Sequence, residues 1–214
     1  MRYIVKAYKG GLIAIPGEER RKKGVNRERI IRVLLNNPEG LSIYRVWKES
    51  HSSFSWVYAY LKKLENEGYL DGTKVVKYRE LVQHWRNIHV KPRKIDFLVQ
   101  EPLHLLRRSG LKYALTTYAA ENLTQRHLFL SRYDVYIGED DVEEWKRRLL
   151  SAGLYGKGNF RLLVGDDHVF YRAKEVDALI VVSTPQLILD LLEEGGVCEE
   201  AANMILEKVE GIHV

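Results

Sequence analysis

Between Ser52 and Leu70 the chain reads SSFSWVYAYLKKLENEGYL, and its apolar positions recur at helical spacing. With Val57 as origin and 100° per residue, Phe54, Val57, Leu61 and Leu64 fall on one stripe, which is predicted to pack on a core. Ser52, Ser55, Trp56, Ala59, Lys62, Lys63 and Asn66 fall on the other side and are predicted to face outward. Gly68 ends the helix, because glycine reaches positive φ without a Cβ clash, and Tyr69 and Leu70 then open a strand.

The same alternation organises the residues on either side. Asn26 is a predicted N-cap for a helix over 27–36, with Glu28 near its positive end and Ile30, Val33 and Leu34 turned inward, and Pro38 and Gly40 stop it. Ser42 caps a second helix over 43–49 with Val46 and Trp47 as core contacts, and His51, Ser52 and Ser53 form a turn. Asp71-Gly72 is a hairpin signal, followed by an alternating strand over 74–78. Leu81, Trp85 and Ile88 mark a connecting helix that Pro92 ends. Three helices, a hairpin and a fourth helix predict a winged helix-turn-helix domain over residues 26–92, with the helix after Ser52 as its recognition helix.

Upstream, residues 3–15 are β-branched and aromatic around Lys9-Gly10-Gly11 and predict a small hairpin. Glu18 to Lys23 is read as a solvated linker, with a basic arm touching phosphates as the alternative, so residues 1–25 stand apart as hairpin and basic linker. From Lys94 the pattern becomes mixed. Strands are predicted over 95–100, 132–137, 160–164, 169–171 and 179–182, and helices over 103–109, 117–123, 140–152 and 199–209. Ser183 followed three residues later by Gln186, with Pro185 between them, is a capping-box start for one more helix, through Leu192. The predicted fold class is therefore α+β: an N-terminal winged helix, then a mixed α/β effector domain over 93–214.

Charge divides the chain in the same place. Residues 1–96 carry 21 Lys or Arg against 10 Asp or Glu, a balance of +11, and residues 97–214 carry 13 against 19, a balance of −6. A basic first half fits a polyanionic partner, and double-stranded DNA, in particular the chain's own promoter, is the expected one. The phosphate-contact candidates are Arg45, Lys48, Lys62, Lys63, Lys74 and Lys77, and the groove-facing candidates are Ser52, Ser55, Trp56 and Ala59. The groove-facing set holds no Arg, Asn or Gln for bidentate base reading. A protein-interaction module with an exposed aromatic surface is the competing interpretation.

The single Cys198 rules out an internal disulfide and a cysteine zinc cluster, which with the lack of a long apolar run leads us to expect a cytoplasmic chain with no membrane partner. No cofactor is expected: the seven histidines make no ligand set, and Gly156-Lys157-Gly158 lacks phosphate-loop spacing. Asp166 and Asp167 are the residues a metal-dependent nucleotide-handling enzyme would use. Adjacent strand residues point to opposite faces, so a polar turn is preferred and no enzyme is expected.

Residues 113–122 (YALTTYAAEN), 135–137 (VYI), 182–192 (VSTPQLILDLL) and Glu200-Ala201-Ala202 resemble the AbiEi-type antitoxin regulators of type IV toxin-antitoxin systems. The resemblance spans roughly residues 26–210 and includes the Leu81 to Trp85 helix. It implies an autoregulating DNA-binding antitoxin without catalytic residues, whose C-terminal domain counters a nucleotidyltransferase-like toxin. Homo-oligomerisation is left open. Within that motif Gln186 and Asp190 lie one turn apart and are expected to hold the fold through caps and buried hydrogen bonds.

Overall fold

The computed structural model describes residues 16–212, with side chains over 23–211. Four helices and a short hairpin come first: α1 (Pro16–Leu35), α2 (Ile43–Ser50), α3 (Phe54–Asn66), β1 (Leu70–Asp71), β2 (Lys74–Val75) and α4 (Tyr78–Ile88). The remainder is a mixed α+β arrangement around a seven-stranded sheet. Its elements are β3 (Arg93–Val99), α5 (Pro102–Arg108), β4 (Ala114–Thr116), α6 (Thr117–Thr124), β5 (Tyr133–Ile137), α7 (Val142–Ala152), β6 (Gly153–Tyr155), β7 (Phe160–Val164), β8 (Lys174–Val176), β9 (Leu179–Val181), α8 (Thr184–Glu194) and α9 (Val197–Ile212).

Local chemistry accounts for the first elements. Ser42 has extended backbone angles and its Oγ accepts from the Arg45 amide, so α2 starts where a serine can satisfy one of the four orphan donors. Gly68, at φ 78°, ends α3 and turns the chain into β1, which pairs antiparallel with β2 through Leu70↔Val75 and Asp71↔Lys74. The hairpin is shorter than its sequence pattern suggests, because Tyr78 opens α4 instead of continuing the strand.

The sheet runs β6-β3-β7-β5-β4-β9-β8, with β5/β7 and β4/β9 parallel and the other pairs antiparallel. In central β7, Leu162, Leu163 and Val164 are all buried, as expected of a strand covered on both faces. One hydrophobic cluster continues from Ile30 of α1 through Trp85 of α4 and the sheet to Leu206 of α9. Helix α8 lies at its centre, packed on α4, α6 and α9.

Several expectations change. The segment over 18–23 is not a linker: α1 starts at Pro16, a residue that suits a first helical turn, and runs through the charged stretch and Gly24. The hairpin expected over 3–15 lies outside the described residues. The strand expected at 169–171 is a 3-10 turn over Asp167–Phe170, whose His168 bonds Arg32 of α1 and Glu49 of α2 instead of the chain entering a ladder. Three-residue strands β4, β6 and β8 carry too short an alternation to be read from sequence. Helix α9 passes through Gly211.

The edge strand β6 generates a direct test. A Cβ at Gly153 would fall on the Leu98 carbonyl of the neighbouring strand, whereas a Cβ at Gly211 meets open space. Gly153→Ala is expected to cost about 1–3 kcal/mol of overpacking, measured from the urea midpoint, with Gly211→Ala near neutral.

Candidate functional site

The surface built by α2, α3 and the hairpin holds most of the sequence-selected residues. Ser55, Ala59, Lys62 and Asn66 recur along α3 at helical spacing and are all exposed, and Tyr58 extends the same face. Arg45 and Lys48 on α2, Lys63 on α3, Lys74 in β2 and Lys77 before α4 are exposed as well. Four of these cations already have acidic neighbours: Arg45–Glu49 at 2.8 Å, Lys62–Glu65 at 2.7 Å, Lys63–Glu67 at 3.6 Å and Lys74–Glu39 at 3.6 Å.

Three residues are placed differently from the sequence reading. Trp56 is not an outward reader: it stacks on Tyr60 at 6.4 Å, is half-buried, and its Nε1 is enclosed without a partner among the described residues. At 100° from Ser55 it sits at the edge of the outer face, and an indole there gains more by covering Tyr60 than by entering solvent. Ser52 is half-buried in the turn, where its Oγ donates to the Ser50 carbonyl. Phe54, expected in the core, is 49% exposed, because it belongs to the first turn of α3, where its ring meets Trp47 edge-on at 5.8 Å. With Tyr44 contacting the other side of Trp47 at 5.3 Å, these rings form an aromatic row beside the cations.

Behind this surface lies a buried polar junction that sequence pattern did not reveal. Arg32 of α1 is only 2% exposed. Its Nε donates to Gln186 Oε1 at 2.8 Å, its Nη1 to His168 Nδ1 at 3.1 Å, and its guanidinium lies 5.1 Å from the Trp85 ring centre. Gln186 passes the connection on: its Nε2 donates to Asp190 Oδ1 at 2.8 Å. Asp190 also accepts from Thr116 Oγ1 at 2.5 Å and Tyr136 Oη at 2.9 Å, so β4, β5 and α8 converge on one carboxylate. Burial pushes that carboxyl up to about 6 even though all three donors favour its charged form. Gln186 and Asp190 thus hold the fold through buried hydrogen bonds. The capping box does not form: Gln186 is spent on Arg32 and Asp190, and Ser183 Oγ accepts from Asn36.

The turn between α2 and α3 is clamped from the sheet side by the same region. Arg29 makes a two-pronged ion pair with Asp166 and donates to the His51 carbonyl at 3.4 Å. Burial alone would raise the Asp166 pKa, but the Arg29 bond and charge outweigh it and hold it below the ordinary aspartate value. Tyr171 donates to the Glu49 carboxylate and accepts from Asn37 at 3.0 Å. Because arginine only donates, His168 Nδ1 must accept from Arg32, and Nε2–H then donates to the Glu49 carbonyl at 2.7 Å. Asp166 is therefore occupied structurally, while the exposed Asp167 pairs with Lys112 at 3.5 Å. Among the described residues no group of three His, Cys, Asp or Glu is arranged to hold a metal ion, and no helix is long and apolar enough to cross a membrane.

Between α1 and the sheet opens a cleft of about 850 Å³, lined by Arg29, Arg32, His89, Arg93, Tyr136 and Gln186 among others. Glu28, buried at its edge, accepts from the Val90 amide at 2.5 Å and faces His89 Nδ1 at 2.7 Å. Burial lowers the His89 pKa, but the bond and charge of Glu28 outweigh it, so the net shift is upward. Comparison with family models, curated proteins and solved structures finds no match for this chain.

Burial, reinforced by the Arg32 charge, pushes the His168 imidazole down to about 4. In the unfolded chain it takes up a proton near 6.5, so its neutral form contributes stability that is full above 6.5 and is lost as pH falls to about 4. The difference in unfolding free energy between wild type and His168→Asn is expected to shrink over that interval. Taking the difference cancels Asp190, whose raised pKa acts in the opposite sense. A difference that stays constant with pH would show that the ring is not held neutral.

Proposed function

We propose that this chain is a DNA-binding regulator whose α1–α4 unit with its hairpin is a winged helix-turn-helix, α3 being the recognition helix. The observation that carries this reading is the continuous exposed face of α3, Ser55, Tyr58, Ala59, Lys62 and Asn66, flanked by Arg45 and Lys48 of α2 and by Lys74 of β2 and Lys77 just before α4. A helix with a polar outer face and cations at its margins suits a major groove bordered by phosphates. The acidic neighbours do not forbid it. Exposed ion pairs are worth about 0–1 kcal/mol each, less than a charge-assisted bond to phosphate returns once counterions are released.

Specificity in this reading rests little on bidentate base contacts, since the residues at the centre of the face are small or aromatic. The wing, the thymine methyl groups met by Ala59 and the shape of the duplex carry more of it. The resemblance of residues 113–122 and 182–192 to AbiEi-type antitoxins supports extending the proposal to an autoregulating antitoxin in a cytoplasmic setting, with the sheet domain countering a nucleotidyltransferase-like toxin. The second reading, a protein-interaction module, is favoured by one observation: Tyr44, Phe54 and Tyr58 are 55%, 49% and 47% exposed on the same surface.

A mobility shift against the DNA upstream of the chain's own gene, at graded salt, separates the two. A retarded complex at moderate salt is expected, and its absence on any duplex would favour the interaction module. Lys62→Ala with Lys63→Ala is expected to weaken binding on every sequence and to flatten the slope of log K against log salt by about 0.9 for each phosphate no longer neutralised. Ser55→Ala is expected to alter preference between sequences as well as affinity.

A further inference from the structure

The cleft between α1 and the sheet is not part of the α3 surface, and its floor has an unused donor. Arg32 spends Nε on Gln186 and Nη1 on His168, but among the described residues its Nη2 has no hydrogen-bond acceptor, and the nearest carboxylate, Glu28, stands at 4.0 Å. The side chain is 3% exposed and lines the cleft, and Nη2 is not among the enclosed unpartnered atoms, so this nitrogen is a cationic donor that opens onto the base of a concave space. Burial pushes the Arg32 pKa down, because most of the guanidinium has given up its hydration. Higher up the wall, Arg29 is held by Asp166 and the His51 carbonyl, while Arg93, at 48% side-chain exposure, pairs with Glu139 through Nη2. Val25, Val90, Pro92 and Val164 supply apolar wall between them. A cleft of about 850 Å³ lies in the range that small-molecule sites occupy.

We infer that this cleft binds a small organic anion, its carboxylate or phosphate on Arg32 Nη2 and its apolar body against the valine and proline wall. An anion gives Nη2 a protein-independent acceptor on a largely buried guanidinium, where a charge-assisted bond is stronger than in open water. The neighbouring Arg29–Asp166 pair is also the clamp on the α2–α3 turn, so an occupant would sit beside the residues that fix α3 against the sheet. The inference stands on the geometry of the cleft and not on the DNA-binding reading.

Isothermal titration of the full chain with phenyl phosphate, benzoate and inorganic phosphate tests it without DNA. At least one of the two aromatic anions is expected to bind saturably with Kd of about 1 mM or tighter, and which of them binds identifies the headgroup. Arg32→Lys, which keeps the charge but loses the planar fork, is expected to weaken that binding at least tenfold, and Arg93→Ala several-fold. Lys62→Ala on α3 should leave it unchanged. If Arg32→Lys does not fold, Arg93→Ala decides alone. Absence of saturable binding by both aromatic anions, or unchanged affinity in the cleft variants, overturns the proposal. Inorganic phosphate binding as tightly as phenyl phosphate overturns the claim that an organic body is recognised.

Discussion

A guanidinium taken out of water has to be given acceptors, and in this chain the acceptors offered to Arg32 come from 136 and 154 residues away, on His168 and Gln186. Burying an isolated ion costs several kcal/mol even after relaxation, and a charge pair recovers that only with good geometry and additional hydrogen bonds. Arg32 has two strong bonds, an aromatic face and a carboxylate at 4.0 Å. Removing any of its partners leaves a buried cation short, so α1, α4, α8 and the 3-10 turn are bound to one arrangement. Charge alternates outward from it, with Glu28 and His89 on one side and Asp166 and Arg29 on the other.

That constraint decides what the outer surface can be. Helix α2 ends at His51 in a left-handed conformation, and the turn that follows is tied by Arg29, Tyr171 and His168 to the sheet side. Helix α3 is therefore mounted on the sheet side through the turn that precedes it. The proposed recognition helix would gain from this, because positional freedom given up before binding is not given up again on binding. The aromatic row of Tyr44, Trp47 and Phe54 shares the mount, so a macromolecule meeting α3 meets it too.

The elements that sequence pattern exposed are those whose cause is local. The Ser42 cap, the Gly68 stop, the Asp71-Gly72 hairpin and the apolar run of β7 each depend on a few neighbouring residues, and each is found where its pattern puts it. The exposure of Ser55, Ala59, Lys62 and Lys63 followed from helical periodicity alone. Trp56 did not, because at the rim of a stripe the angle leaves inward and outward equally open and packing on Tyr60 decides. Arg32 was unreadable for a deeper reason: an arginine on an amphipathic helix reads as solvent-facing, and only its long-range partners make it an interior residue. Gln186 looked like a capping residue on the same local grounds, and its amide was instead claimed by the junction.

If Arg32 joins the helical unit to the sheet domain as one body, the two cannot unfold independently. Differential scanning calorimetry of the full chain is the most direct measurement. A single transition with equal calorimetric and van't Hoff enthalpies is the expected result, and Arg32→Met should lower its midpoint or split it. Two resolved transitions in the unaltered chain, one for each half, would contradict the account.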